Sequence, residues 1–307
     1  MAGGALASLA SWRLGFFINL PIAVVMIVLA ARYLPRIRPV RGRFDLAGAV
    51  LSTIGMGALV YGIVNGGEQG WLAPLTLVPV VVGAVVLTAF VLNEWRARQP
   101  IMPLRLFASA ERSGAAVARL LFAGAAISLY FFTTQFLQGV YGWSPLQTGL
   151  AFLPMTVLQF AASLTVARLS HRFGSGPVLT AGLVLLVAGT GWLSQAGPDV
   201  PYLVGIAAPM ALIGLGQGLG LGPLTAAGIA GAAPADAGAA SGLVNTAHQL
   251  GSTLGIAVLT TVGAGATTLL CHISSAYVGA TVMFAAALVA TIVFIVPAEA
   301  RRRRASR

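Results

Sequence analysis

The amino-acid sequence predicts an all-α, polytopic membrane protein, and three observations carry that expectation. Only 8% of the 307 residues are charged while 58% are hydrophobic, too little charge to cover a soluble domain of this length. Nine apolar segments (about 14–34, 44–66, 73–94, 114–139, 146–168, 176–195, 202–229, 239–265 and 276–296) reach the roughly 20 residues that a helix needs to cross a hydrocarbon core about 30 Å thick. No stretch shows the short alternation of apolar and polar residues that marks a membrane β-barrel.

Charge placement predicts the orientation. All 18 basic residues are arginine, and 16 of them fall in alternate connections: Arg32, Arg36, Arg38, Arg41 and Arg43; Arg96, Arg98, Arg105 and Arg112; Arg168 and Arg172; and five at the end of the chain. The positive-inside rule sets those connections in the cytoplasm, with the C-terminus inside and the N-terminus as given outside. A net charge of +11 spread this way suits anionic lipid and forms no nucleic-acid platform. The single cysteine, Cys271, excludes an internal disulfide framework. His171, His248 and His272 stand far apart, the seven acids lie in loops or at span ends, and no glycine-rich loop ends in Gly-Lys-Ser or Gly-Lys-Thr. The sequence therefore predicts no enzyme, no metal site, no cofactor and no direct ATP coupling.

Taken in order, the first element is Met1 to Ala10, apolar but too short to span, and expected to be the tail of an earlier helix. The next stretch, Trp12-Arg13-Leu14-Gly15-Phe16-Phe17-Ile18-Asn19-Leu20-Pro21-Ile22, resembles the start of the sixth span in the fourteen-span drug:proton antiporter family of the major facilitator superfamily. Gly3-Gly4 looks like the end of that family's glycine-rich fifth-span motif. The expected division is a remnant of a preceding span (1–13), one span with its basic loop (14–43), two linker spans with a cytoplasmic loop (44–112), a six-helix bundle (113–296) and a basic tail (297–307). Asp45, just before a helix, is expected to cap it.

The segment 114–139 carries Ser128, Phe131, Gln135 and Gln138 at steps of three and four, hence on one helical face. That face reads either as the lining of a cavity for an amphipathic organic ligand or as amide-mediated helix packing. Arg119 lies about 160° from Gln135 and about 9 Å beyond Ser113, so it is expected to snorkel to the cytoplasmic interface. The stretch Gly142-Trp143-Ser144-Pro145-Leu146-Gln147-Thr148-Gly149-Leu150-Ala151-Phe152-Leu153-Pro154 resembles the family's ninth-to-tenth connection. Thr148, Phe152, Met155 and Gln159 recur on one face beyond it, and Pro154 is expected to kink the helix.

Ala167-Arg168-Leu169-Ser170-His171-Arg172-Phe173-Gly174 looks like the superfamily's cytoplasmic loop signature, but Ser170 and His171 stand where relatives often carry an acid. Gly214, Gly218 and Gly222, with Pro223 beyond, predict either close helix packing or a pliable, broken helix around Gln217. Ser241, Asn245, His248, Gln249 and Ser252 form one polar stripe in the segment 239–265. An ionisable residue in a span is a functional candidate, and a neutral imidazole bonded to a neighbouring helix is the structural alternative. The stretch Ala240–Ser252 resembles the family's thirteenth span, where an arginine often stands at the position of His248.

The resemblance implies proton-coupled export of amphipathic, often cationic, small molecules by alternating access of two bundles around a midplane site. It also implies that family spans one to five are absent, so that the chain is a partial fold, an exporter piece awaiting a separate N-terminal bundle. Without a mid-span carboxylate, the 307 residues alone are not expected to relay protons through an acid. The other readings are a non-transporting membrane or assembly module, and a receptor or channel built from a degenerate transporter. The candidate binding residues are Ser128, Phe131, Gln135, Gln138, Phe152, Met155, Gln159, Gln217, Asn245, His248 and Gln249.

Overall fold

The computed structural model describes residues 13, 17–33, 45–97, 99–263 and 266–305. The expected remnant at 1–13 except residue 13, the start of the first span and the basic loop 34–43 lie outside these residues. The described residues contain no strand. Their helices are α1 (Asn19–Tyr33), α2 (Leu46–Gln69), α3 (Pro74–Arg96), α4 (Ala110–Gly139), α5 (Pro145–Ala151), α6 (Leu153–Phe173), α7 (Ser175–Leu193), α8 (Ala208–Ile229), α9 (Ala237–Val262), α10 (Leu269–Ala290) and α11 (Val296–Ala305).

Seven stretches are long and apolar enough to cross a membrane, among them α2, α3, α4 and α7. The expected count is nine, and the two others differ for separate reasons. Helix α1 is apolar but spans 15 residues as described. Helix α9 has 26 residues, yet Asn245, His248 and Gln249 hold its hydropathy down.

Helix α4 is the hub, packed against α8, α9 and α10, while α8 also packs on α6 and α7. The core is aromatic and aliphatic: Phe122, Phe132, Phe136, Tyr277 and Phe284 are all but fully buried. The rings of Phe122 and Phe284 meet edge to face at 5.8 Å. In lipid such burial stabilises through packing contacts, because the alternative environment is equally apolar. Close packing needs close backbones. A Cβ on Gly214 would lie 2.2 Å from the Met155 carbonyl oxygen, and one on Gly251 2.0 Å from that of Leu120. The α8 glycines make the close packing expected of them, and α8 runs unbroken through Pro223. Helices α2 and α3 form a hairpin that packs through α2 onto α9. The Asp45 carboxylate accepts from the Gly48 amide at 2.9 Å, capping α2 as expected, and from Asn93 on α3 at 2.8 Å.

The segment 146–168 divides at Phe152 into α5 and α6, with Pro154 in the first turn of α6. Ser144 and Gln147 form a reciprocal capping box at the start of α5. The Tyr202 hydroxyl donates to the carbonyl of Ala151 where the helix is interrupted, at 2.9 Å. Nearby, Tyr141 donates to the Val200 carbonyl at 2.7 Å, and the rings of Tyr141, Trp143 and Tyr202 meet in turn at tilts of 52° and 50°.

The opposite, basic end is tied by charge. Arg105 and Asp236 form a two-pronged pair at 2.8 and 2.7 Å. The residues expected as a basic tail continue as helix α11, whose Arg302 pairs with Glu111 of α4. Glu299 accepts from the backbone amides of Ser175 and Gly176 and from Arg303, and Arg303 donates to the Ser170 carbonyl at 2.9 Å.

Candidate functional site

A groove of about 530 Å³ runs between α6 and α8, lined by Thr156, Gln159, Phe160, Gln217, Gly218 and Leu221. Helix α4 joins it through Tyr130, which stacks on Phe152 at 5.5 Å and donates to the Gln159 amide oxygen at 3.5 Å, the long edge of hydrogen-bond range. Gln217 is 4% exposed, and its amide nitrogen has no partner. Gly218 lets this wall form, since a Cβ there would lie 2.4 Å from the Gln159 carbonyl oxygen.

The structure brings Gln159 and Gln217 of the expected set to the groove, with Phe152 joined to Gln159 through Tyr130, and it separates the rest. Met155 is buried beneath the groove against Gly214. Ser128 is completely buried with an unpartnered hydroxyl, so it does not share an open face with Phe131 and Gln138. Gln135 is half-buried and Gln138 exposed. Phe131 instead lines a second groove, of about 520 Å³, with Val64 of α2 and Ser252 of α9. On α9, Asn245 and Gln249 are exposed, while His248 is half-buried with Nδ1 enclosed and unpartnered.

Arg119 departs furthest from expectation. It does not snorkel: it is 9% exposed and donates from Nη1 to the Leu221 carbonyl at 3.3 Å and to the Thr225 hydroxyl at 3.2 Å. Eleven residues separate it from Tyr130, about 20° on a helical wheel, so both point from one face of α4 toward α6 and α8. The residues expected to line that side, Gln135 among them, point elsewhere. Among the described residues, Arg119 and His248 are the basic side chains more than two turns from either end of a helix, and no Asp or Glu is so placed. Sequence reasoning passed over Arg119 as a binding residue. The general rule that an intramembrane charge is functional by default would have kept it.

Residues 1–256 match the family described as the Major Facilitator Superfamily. The chain is 38% identical, over 98% of its length, to a cephamycin export protein of Amycolatopsis lactamdurans, covering 64% of that protein. It is 37% identical over 87% of its length to a puromycin resistance protein of Streptomyces alboniger, covering 54% of it. It is 35% identical over 84% of its length to a multidrug resistance protein of Mycobacterium tuberculosis, covering 48% of it. The chain therefore spans about half to two thirds of the length of these relatives.

Proposed function

The chain belongs to the Major Facilitator Superfamily, and from that premise we propose that it works in the export of small amphipathic organic molecules, antibiotics among them. The observation that carries the reading is the groove between α6 and α8. Apolar walls carry convergent amides, Gln159 and the unpartnered Gln217, with aromatic faces at Tyr130 and Phe152, the makeup of a site for a small organic ligand. The names of the relatives, for cephamycin export and for puromycin and multidrug resistance, support the same reading.

The finer proposal places the protein in the fourteen-span drug:proton antiporter family. Its nine spans, α1 and α9 included, cross the cell membrane with the basic end in the cytoplasm. Substrate reaches the groove from one side and leaves to the other as packed helix pairs rock about it. Within this chain the groove residues Gln159 and Gln217, with Phe152 adjoining through Tyr130, hold the substrate, and the half-buried His248 is a titratable group in the spans. The proton gradient supplies the driving force.

Expression of the natural protein in an efflux-deficient bacterium tests the reading. Accumulation of puromycin and of a panel of lipophilic antibiotics should fall several-fold, recover when a protonophore is added, and rise again in the Gln159→Ala, Gln217→Ala double variant. Unchanged accumulation across the panel, with the protein present in the membrane, would overturn the proposal.

A further inference from the structure

Arg119 is a buried cation with no anion. Ion pairs among the described residues join Arg105 to Asp236, Arg302 to Glu111 and Arg303 to Glu299, all at the basic end of the helices. Arg119 makes none of them. A guanidinium carries five N–H donors in a planar fork, and here one nitrogen serves two neutral oxygens while Nε has no partner at all. Buried charges are ordinarily paired, and within a membrane an unpaired one is costly enough to mark a functional position.

Other unpartnered polar atoms lie on the neighbouring helices α8 and α9. Gln217, one turn of α8 before Leu221, presents an unpartnered amide nitrogen and is 96% buried by its 4% exposure. His248 on α9 offers an enclosed Nδ1, also unpartnered. Leu221, whose carbonyl Arg119 holds, lines the same groove as Gln159 and Gln217. On α8 the unpartnered Gln217 nitrogen thus lies one turn from the carbonyl that Arg119 holds, beside a positive charge that no carboxylate of the described residues pairs in a salt bridge.

We propose that Arg119 is the anchor of an anion-binding subsite, and that the substrate of this chain carries a carboxylate or comparable anionic group. The proposal rests on the exporter reading for the role of the ligand and refines its class: an amphipathic anion, where the family resemblance implies a cation. The planar fork suits a carboxylate, which takes two parallel N–H bonds from one guanidinium. In this arrangement the apolar body of the ligand lies along the groove toward Phe160 and Tyr130, and Gln217 bonds the same acid group. A phospholipid phosphate presents the same chemistry, so the lipid must be varied in the test.

The natural protein in zwitterionic-lipid nanodiscs is titrated with 2-naphthoate and with the uncharged 2-naphthamide. The expected result is a preference for the carboxylate of about tenfold or more, as a charge-assisted pair supplies. That ratio should fall to about one in Arg119→Gln and survive largely in Arg119→Lys, since the lysine keeps the charge but not the fork. A wild-type ratio at or below one overturns the proposal whether or not the variants fold. A ratio unchanged in a folded Arg119→Gln protein, checked by thermal unfolding, overturns it too. Naphthoate binding abolished by a change to anionic lipid would assign the subsite to a lipid phosphate and overturn the substrate assignment. Because binding is read without transport, a protein that prefers naphthoate but exports nothing supports the subsite and sinks the exporter reading alone. One that exports uncharged drugs with a ratio of one sinks the subsite alone.

Discussion

At the scale of single residues, the fold depends on where side chains are missing as much as on where they are present. Helices α4 and α9 approach until Gly255 sits on Gly124, a Cβ there falling 2.3 Å from the Gly124 Cα, and Gly251 makes the same approach one turn away. Gly251→Ala must push α9 off α4, and overpacking of this kind costs about 1–3 kcal/mol. Gly57 on α2 has no atom within 4 Å of where its Cβ would be, so Gly57→Ala should cause no loss. Thermal unfolding in detergent checks both: a clear drop for the first, none for the second. Ser128 and Arg119 show what a helical wheel can and cannot say. The angle between Arg119 and Gln135 was legible at about 160°, but which of the two met α8 depended on where α8 stands around α4. No periodicity within α4 contains that information.

At the scale of elements, the basic end is held by carboxylates reaching between helices. Glu299 of α11 accepts the first free amides of α7, those of Ser175 and Gly176, an external cap for a helix start whose own preceding residue is Gly174. Glu299→Gln keeps the shape and removes the charge, and a hydrogen bond to a charged group contributes about 1.5–3 kcal/mol. Faster amide exchange at the start of α7 and along α11, with α10 unchanged, is the expected outcome. The connection before α9 depends on Asp236, whose carboxyl is held below its ordinary value chiefly by the hydrogen bonds from Arg105. A depressed folded value means that the contribution is present above the ordinary carboxylate value of about 3.9 and is lost as pH falls through the lower one. Residues 230–236 should therefore stay protected from proteolysis at pH 5 and open only in stronger acid, and Asp236→Asn should open them at neutral pH. At the far end, burial raises the Tyr141 phenol, which stays a neutral donor to Val200.

At the scale of the whole molecule, the described helices expose apolar side chains on the outside, as a multi-pass membrane protein does. Helices α2 and α3 bury little of themselves, whereas most of α4 is enclosed. The two ends differ in chemistry, one arginine-rich and the other aromatic, and Cys271, at the start of α10, lies at the aromatic end and is exposed. A membrane-impermeant maleimide added to intact cells should label Cys271, while a cysteine placed at Arg301 should react only after permeabilisation. The reverse pattern would invert the orientation read from the arginines.

Composition and spacing alone determined the all-helical class, the extent of most spans, the cap at Asp45 and an irregularity beside Pro154, expected as a kink and found as a division at Phe152, because each follows from residues within one turn or one bilayer crossing of each other. The groove, the enclosure of Ser128, the docking of α11 and the capture of Arg119 by α8 were decided by tertiary structure. Each depends on which helix stands beside which, and that is set by close approaches between residues about a hundred positions apart, such as Arg119 with Leu221 and Gly251 with Leu120.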